Sequence, residues 1–476
     1  MEIIGREQEI KLLEKLSSNT KAEFLVIYGR RRIGKTFLIR QFFKDHFHFH
    51  MTGMANASTR QQLLNFDNSL SLQSGQPNSE KSENWVTAFQ KLIRYLEGQF
   101  ATNTSKEKKI IYLDELPWFA TKGSDFMMAL EHFWNHWASS RNILLIVCGS
   151  AASWMVKEVI NDKGGLHNRV TQKIKLTAFS LKETEALLKN RGCQLERYQI
   201  IQLYMALGGI PYYLDAISPE LSTTQNIQAL LFNPNGRLHN EFYNLYRSIF
   251  SKHDRYEQVV QVLATKSSGM SRKELVEKGQ LNSGGTLTTV LRNLEESGFI
   301  SSYRALDGKK KNLLYRLTDY YTAFYFKYIH DKKHQGPTAW INLIDHPTKR
   351  AWEVFTFEQV CLDHVDQIKK GLGISGMESH NLCWRGSAEG KAAQVDLLID
   401  RRDQVINLCE CKFSLDTFTI TKAYAEQLRS KLHVFKSATK TKKSVFLTMI
   451  TSYGIKKNSH SDMLVTNALS MDVLFE

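Results

Sequence analysis

The stretch EFLVIYGRRRIGKT, Glu23 to Thr36, decides how the first part of the chain folds. Phe24 to Tyr28 is an apolar, β-prone run. It feeds a turn with Gly29, four further residues, then Gly34, Lys35 and Thr36, after which FLIRQFF carries helical spacing. Strand, glycine-bearing turn and helix in that order make a phosphate-binding loop. The glycines let backbone N–H groups curl around phosphate, and the helix N-terminus adds its positive dipole. Lys35 is expected to reach the terminal phosphates and Thr36 to offer a hydroxyl to Mg²⁺. The nucleotide lining is expected from Gly29, Arg30, Arg31, Arg32, Ile33, Gly34, Lys35, Thr36 and Phe37, with the three arginine side chains solvated.

A loop of this kind needs an acid for the metal at the end of a neighbouring strand. KKIIYLDELPWF provides it, because the apolar run Ile110 to Leu113 ends in Asp114 and Glu115. Asp114 is expected to orient Mg²⁺ and Glu115 to polarise the attacking water. NILLIVCGS, Asn142 to Ser150, reads as a further buried strand, ending where Ser150 could sense the γ-phosphate. Strands alternating with helices from residue 24 to about 175 indicate a parallel sheet with covering helices. In DHFHFHM, His46, His48 and His50 alternate with apolar residues, so on a strand all three would share one face. With no nearby Cys, Asp or Glu to complete a metal set, an ordinary strand is the preferred reading over a metal site.

At 476 residues the chain is too long for one ordinary core, so several domains are expected. Its 42% hydrophobic content and 7 prolines fit folded globular domains rather than long disordered tails. The formal net charge of +15 favours polyanionic partners, with nucleic acid leading and DNA ahead of RNA. Six cysteines spread over so long a chain do not form a disulfide framework, which fits a reducing cytoplasm. MEIIGREQEI lacks the apolar core of a signal peptide, and no stretch reaches the roughly 18 uncharged apolar residues of a membrane span, so no membrane partner is expected.

From about Asp254 to Thr318 the pattern changes. RYEQVVQVLA, MSRKELVEKG and GGTLTTVLRNLEESGFI are three short helical segments, the second with Ser271 as N-cap and Glu274 three residues later. ISSYRALDGKKKNLLYRLTD then reads as two strands around a charged turn, which completes a winged helix. In a DNA-binding reading, Thr286 to Arg292 lie on the recognition helix and Lys309 to Lys311 contact phosphate from the wing. In the other reading the module packs and regulates, since the helix carries one arginine and few residues suited to base edges. LTDYYTAFYFKYI, dense in aromatics, is expected to be a core helix joining domains.

Residues 345–476 carry a second constellation. AWEVFTFEQVCLDHV is an amphipathic helix holding Glu358, AAQVDLLID a strand with Asp396, and VINLCECKFS a strand with Glu410 and Lys412. A helical segment with Gln427 and the strand KSVFLTMI follow. Period two puts Glu410 and Lys412 on one face and Cys409 and Cys411 on the other, and the 14 residues from Asp396 to Glu410 allow a hairpin. The CxC pair alone suggests zinc, but no partner pair stands at metal spacing. Two carboxylates that hold Mg²⁺ with a lysine beside them are what phosphodiester hydrolysis requires.

Taken in order, IIGREQEI, GRRRIGKT, YLDE, CGS and ALGGIPYYL resemble the archaeal-type P-loop ATPases of the AAA+ and STAND group, over the N-terminal half of the chain. The resemblance implies that Gly5 and Arg6, with Glu7, lie near the adenine. It implies that Gly208 to Pro211 sit in a helical lid, and that Arg169 is directed at the γ-phosphate in cis or across the interface of a homo-oligomer. The C-terminal order of helix, strands and E…D…ExK is similar to the PD-(D/E)xK nuclease fold, in particular the nuclease-like domain that follows such ATPases. That similarity makes Asp396 and Glu410 metal ligands, Lys412 the catalytic lysine, and Glu358 and Gln427 supporting residues. Val395 stands where the motif name has proline.

The expected architecture is α/β: a P-loop core over 1–175, helical lid over 176–250, winged helix over 251–318, aromatic helical linker over 319–344 and restriction-endonuclease-like domain over 345–476. The expected function is ATP binding and hydrolysis, with Mg²⁺, coupled to nucleic-acid binding or cleavage. The alternative is a signalling or scaffold ATPase with an inactive nuclease-like domain.

Overall fold

The run ahead of the phosphate loop is strand β1 (Glu23–Tyr28), whose residues from Phe24 onward are buried. Burial on both faces explains the continuous apolar spelling, which is that of a parallel sheet covered by helices. In the computed structural model, described for residues 2–76, 80–102, 107–161, 164–250, 252–304, 306, 313–331 and 338–476, the chain divides into two units, Met1–Thr177 and Ala178–Glu476.

In the first unit β1 lies inside a five-stranded, wholly parallel sheet with β2 (Phe49–Thr52), β3 (Lys109–Asp114), β4 (Ile143–Gly149) and β5 (Gln172–Lys175), in the order β2-β3-β4-β1-β5. One strand, β4, thus separates the loop-bearing β1 from the acid-bearing β3. Helices Thr59–Ser74, Trp85–Thr102 and Phe126–His136 bury Leu63, Phe66, Trp85, Phe89, Leu92, Leu130 and Phe133 against one face.

The histidine reading is corrected here. The helix Lys35–Phe43 ends in Lys44 and Asp45, both at positive φ, and the ensuing turn leaves His46 and His48 outside β2, so the period-two face never forms. His48 instead accepts a hydrogen bond from the Ile110 amide through Nδ1 at 3.1 Å.

In the second unit, helices Leu181–Asn190, Arg197–Leu207 and Glu241–Ile249 lead to His253–Ala264, Arg272–Gly279 and Gly285–Glu296. Ser271 and Glu274 make the reciprocal capping box their spacing announces. A three-stranded antiparallel sheet follows, with β6 (Met270–Ser271), β7 (Ile300–Arg304) and β8 (Leu313–Leu317) in the order β6-β8-β7. The wing lysines Lys309 to Lys311 lie outside the described residues.

The aromatic helix Tyr320–Tyr328 is a core element, as its composition implies. Tyr325 stacks on Phe242 at 4.2 Å, Phe324 meets Trp340 edge-on at 5.0 Å, and the Tyr321 hydroxyl donates to the Leu238 carbonyl at 3.0 Å.

The last part of this unit opens with helix Pro347–Asp363 and then forms β9 (Ser379–Ala388), β10 (Lys391–Arg401), β11 (Val405–Lys412), β12 (Phe418–Thr419), β13 (Ser444–Thr451), β14 (Ile455–Lys456) and β15 (Asn467–Ser470). The larger sheet runs β15-β13-β11-β10-β9, antiparallel through the β9-β10-β11 hairpins and parallel beyond, while β12 pairs with β14. Helix Lys422–Thr439 buries Ala425, Leu428, Val434 and Phe435 against it. Among the described residues no helix is long and apolar enough to cross a membrane.

Candidate functional site

The phosphate loop keeps its shape through Gly29, at φ +143°, where an added Cβ would stand 2.3 Å from the Leu176 carbonyl oxygen. No side chain fits there. Gly34, at φ +87°, starts the helix Lys35–Phe43. The Lys35 ammonium is buried and folds back on the loop, donating to the carbonyls of Gly29 at 3.0 Å and Arg30 at 2.8 Å.

The expectation that all three loop arginines are solvated holds for Arg31, which is exposed, but not for Arg30, which is buried. Ile33 is buried and Phe37 exposed on the outer side of the helix.

Thr36 Oγ1 donates to Asp114 Oδ2 at 2.8 Å, although 78 residues separate them. Asp114 is 3% exposed, and its Oδ1 accepts the Glu115 amide at 3.0 Å. A hydroxyl and a carboxylate side by side are hard oxygen donors that suit Mg²⁺. Glu115 adopts a left-handed backbone, φ +51°, which turns its carboxylate toward β4, where Oε2 accepts from Ser150 Oγ at 2.8 Å and the Ser150 amide at 3.2 Å. Lys35, Thr36, Asp114, Glu115 and Ser150 are thus brought together. Between them, burial and the nearby Asp114 charge push the Cys148 thiol well above its ordinary value, which leaves it an inert neighbour.

Arg6 is buried, with its guanidinium donating to the carbonyls of Ile33 at 3.2 Å and Thr177 at 2.7 Å. It and Gly5 are both at positive φ, so the segment bends sharply beneath the loop. Arg169 is exposed in a turn ahead of β5. Pro211, in the second unit, begins helix Pro211–Leu214, and Gly209 presses against the Phe179 backbone, where a Cβ would come within 1.9 Å of the carbonyl oxygen.

The second cluster is built on β10 and β11. The β10–β11 ladder ends at the Leu397–Cys409 pair, and Asp396 and Glu410 are the next residues beyond it on the two strands. A bulge in the β9 pairing between Val395 and Leu398 frees Asp396 from the regular ladder. Glu410 Oε1 accepts from the Tyr424 hydroxyl at 2.8 Å and pairs with Lys412 Nζ at 3.2 Å, while Oε2 accepts from Lys431 Nζ at 2.6 Å.

Burial works to raise the Glu410 carboxyl, but Lys431 and then Lys412 outweigh it and hold the group below the ordinary carboxylate range. Glu358 has the opposite fate: burial first, then the charges of Asp396 and Glu410, push it up to about 8. Cys409 and Cys411 are buried on the far face with Cys361, as strand periodicity requires. Two carboxylates, Glu410 paired with Lys412 and Lys431 and Asp396 with Arg316, are donors of the right chemistry for a divalent cation, although each is already engaged by a protein cation.

Sequence reasoning missed three members of this cluster. Tyr424 and Lys431 reach Glu410 from helix Lys422–Thr439, whereas Gln427, the residue singled out there, is exposed. Arg316, from β8, donates through Nη2 to Asp396 Oδ1 at 3.0 Å. The helix pair had a signal, since positions 424, 428 and 431 form one helical stripe. Arg316 had none.

A family model described as an ATPase domain predominantly from Archaea matches residues 3–217. The uncharacterized protein MJECL04 of Methanocaldococcus jannaschii is 26% identical over 333 residues, 68% of each chain. The uncharacterized ATP-binding protein MJ0423 of the same organism is 40% identical over 42 residues, 9% of this chain and 71% of its own. Among solved structures, the Walker-type ATPase PABY2304 of Pyrococcus abyssi superposes with a TM-score of 0.50 at 19% identity, over 68% of this chain and 96% of that one. Residues 3–217, with their parallel sheet and phosphate loop, are an ATPase domain of the archaeal type.

Proposed function

We propose that the chain is an ATP-hydrolysing switch coupled to nucleic-acid binding or cleavage by a metal-dependent, PD-(D/E)xK-like domain over 345–476. In this reading residues 251–318 are a winged helix that offers the exposed face Thr286, Thr288, Thr289 and Arg292 to DNA, and 176–250 are the lid of the ATPase. Lys35 and the loop amides hold the phosphates of ATP. Thr36 and Asp114 are the residues that would hold Mg²⁺, which supplies charge neutralisation at the phosphates when bound. Glu115, oriented by Ser150, takes up the proton of the attacking water, and Arg169 stabilises charge on the departing phosphate.

The observation that supports the nuclease part is the β10–β11 hairpin, whose ladder ends at Leu397–Cys409 with Asp396 and Glu410 next beyond it, and Lys412 Nζ 3.2 Å from Glu410 Oε1. Asp396 and Glu410 would hold the metal there, and Lys412 would position the water. The net charge of +15 supports a polyanionic substrate.

The test is degradation of DNA and RNA with Mg²⁺ or Mn²⁺, with and without ATP, in wild type, Glu410→Ala and Lys412→Ala. Cleavage that survives both substitutions removes the nuclease reading. One observation favours the second reading, an ATPase whose C-terminal domain binds without cutting: both acids are engaged by Arg316 and Lys431. That reading predicts ATP turnover lost in Lys35→Ala and no cleavage under any condition.

A further inference from the structure

Asp396 is met from outside its own sheet by Arg316, 80 positions earlier in the chain. It is carried on β8, the central strand of the small β6-β8-β7 sheet, and its side chain is 7% exposed. Its Nη2 donates to Asp396 Oδ1, and the same oxygen accepts from Gln394 Nε2 at 2.9 Å. Two donors use both lone pairs of that oxygen, which leaves only Oδ2 of this carboxylate for a metal ion. At Glu410, Lys412 and Tyr424 engage Oε1 and Lys431 engages Oε2.

The charge balance points the same way. Asp396 and Glu410 contribute two negative charges and Arg316, Lys412 and Lys431 three positive ones, for a sum of +1. A divalent cation brought into that surrounding is repelled; removing Arg316 alone brings the sum to zero.

Arg316 is also the one cation of the three that can be withdrawn as a unit. Lys412 lies on the same strand as Glu410 and Lys431 on the helix packed over it, whereas Arg316 belongs to the small sheet. That sheet and the residues beside it meet the C-terminal strands and helix through Leu306, which packs on the Trp384, Val395 and Leu398 cluster, and through polar contacts: Leu306 N to the Cys383 carbonyl at 3.0 Å, Gln359 Nε2 to the Tyr303 hydroxyl at 3.2 Å, and Arg385 to the Ser268 carbonyl. The polar contacts among these exchange for water at modest net cost. The Arg316 guanidinium rests over the Tyr303 ring at 5.1 Å, so the two leave together, and its buried Nε has no acceptor among the described residues, which makes the docked position costly.

We propose that Arg316 is a built-in stopper: its guanidinium occupies the cation position at Asp396, and a divalent metal binds between Asp396 and Glu410 only when the small sheet withdraws it. This rests on the reading of Asp396 and Glu410 as metal ligands. The contact makes the C-terminal site autoinhibited, and whatever engages the exposed helix Gly285–Glu296 or its attached sheet controls it.

The test is Mn²⁺ titration of the full-length, nucleotide-free protein, followed by the electron paramagnetic resonance signal of free Mn²⁺. Arg316→Gln is expected to gain about tenfold or more in affinity for one Mn²⁺, the scale on which residues neighbouring metal ligands act. Adding Glu410→Gln should abolish the gain, which separates this site from the phosphate loop. ATP turnover and melting temperature check the fold. If Arg316→Gln does not fold, Arg316→Lys, which keeps the charge but loses the reach and the fork, is expected to gain a few-fold; no gain in it overturns the stopper. Equal or weaker Glu410-dependent binding in Arg316→Gln than in wild type overturns the stopper and leaves the metal-site reading standing. No Glu410-dependent binding in any variant overturns both.

Discussion

The Thr36 hydroxyl donates to Asp114 Oδ2 at 2.8 Å and joins the start of the helix behind the phosphate loop to the end of a strand two places away in the sheet. Either substitution, Thr36→Val or Asp114→Asn, removes a donor from the pair that suits Mg²⁺. ATP turnover measured with Mg²⁺ is expected to fall by about 10² or more, on the scale of losing a preorganised electrostatic contact. Nucleotide binding in EDTA should change far less, and equal losses in the two measurements would contradict the assignment.

Glu115 and Ser150 divide a different task. Glu115→Gln is expected to keep ATP affinity while turnover falls by about 10² to 10⁴, the range for a general base. Ser150→Ala removes the 2.8 Å contact that holds the carboxylate and should lower kcat severalfold with little change in KM. Steady-state kinetics of the two variants side by side separates proton transfer from orientation. A KM effect alone in Ser150→Ala would place that serine on the substrate instead.

Gly29→Ala tests the loop by shape alone. The new methyl would stand 2.3 Å from a backbone oxygen at a φ of +143°, and neither can yield cheaply. A destabilisation of roughly 1–3 kcal/mol is expected, together with loss of ATP binding. Chemical denaturation and nucleotide fluorescence report the two effects, and Gly34→Ala, with open space around its Cβ, should disturb the fold less.

A pH-dependent signature belongs to Glu358. Its folded-state carboxyl is raised to about 8 by burial and then by Asp396 and Glu410, so between its ordinary value and about 8 the folded protein binds a proton that the unfolded chain does not. Stability therefore falls as pH rises through that window and the penalty is complete above it. Glu358→Gln should match wild type near pH 5 in metal-free buffer and exceed it near pH 8. Melting curves that run parallel across the range would remove the cause.

The phosphate loop and the β10–β11 hairpin were legible because both are local. Glycine spacing, a strand that ends in acids and a two-residue period need only neighbours along the chain to be read. The histidines failed for a local reason that composition hides: Lys44 and Asp45 take left-handed conformations, and the extended backbone that the period assumes begins only at Phe49. Arg30 looked solvated because a charged residue in a surface-type loop reads as exposed, whereas the fold buries it. Arg316 shows the limit most directly, since its meeting with Asp396 depends on how the three-stranded sheet meets the five-stranded one, and no spacing or charge pattern in the sequence encodes that.

The buried guanidinium of Arg6 has a mechanical consequence. It holds the Ile33 carbonyl within the phosphate loop and the Thr177 carbonyl at the last residue of the first unit. The next peptide bond leads into the second unit. Arg6 is therefore a strut between the place where nucleotide is gripped and the point from which the rest of the chain departs. Its two hydrogen bonds tie the backbone of the phosphate loop to the backbone of the first unit's last residue, so neither carbonyl can shift without loss of a contact to the same guanidinium.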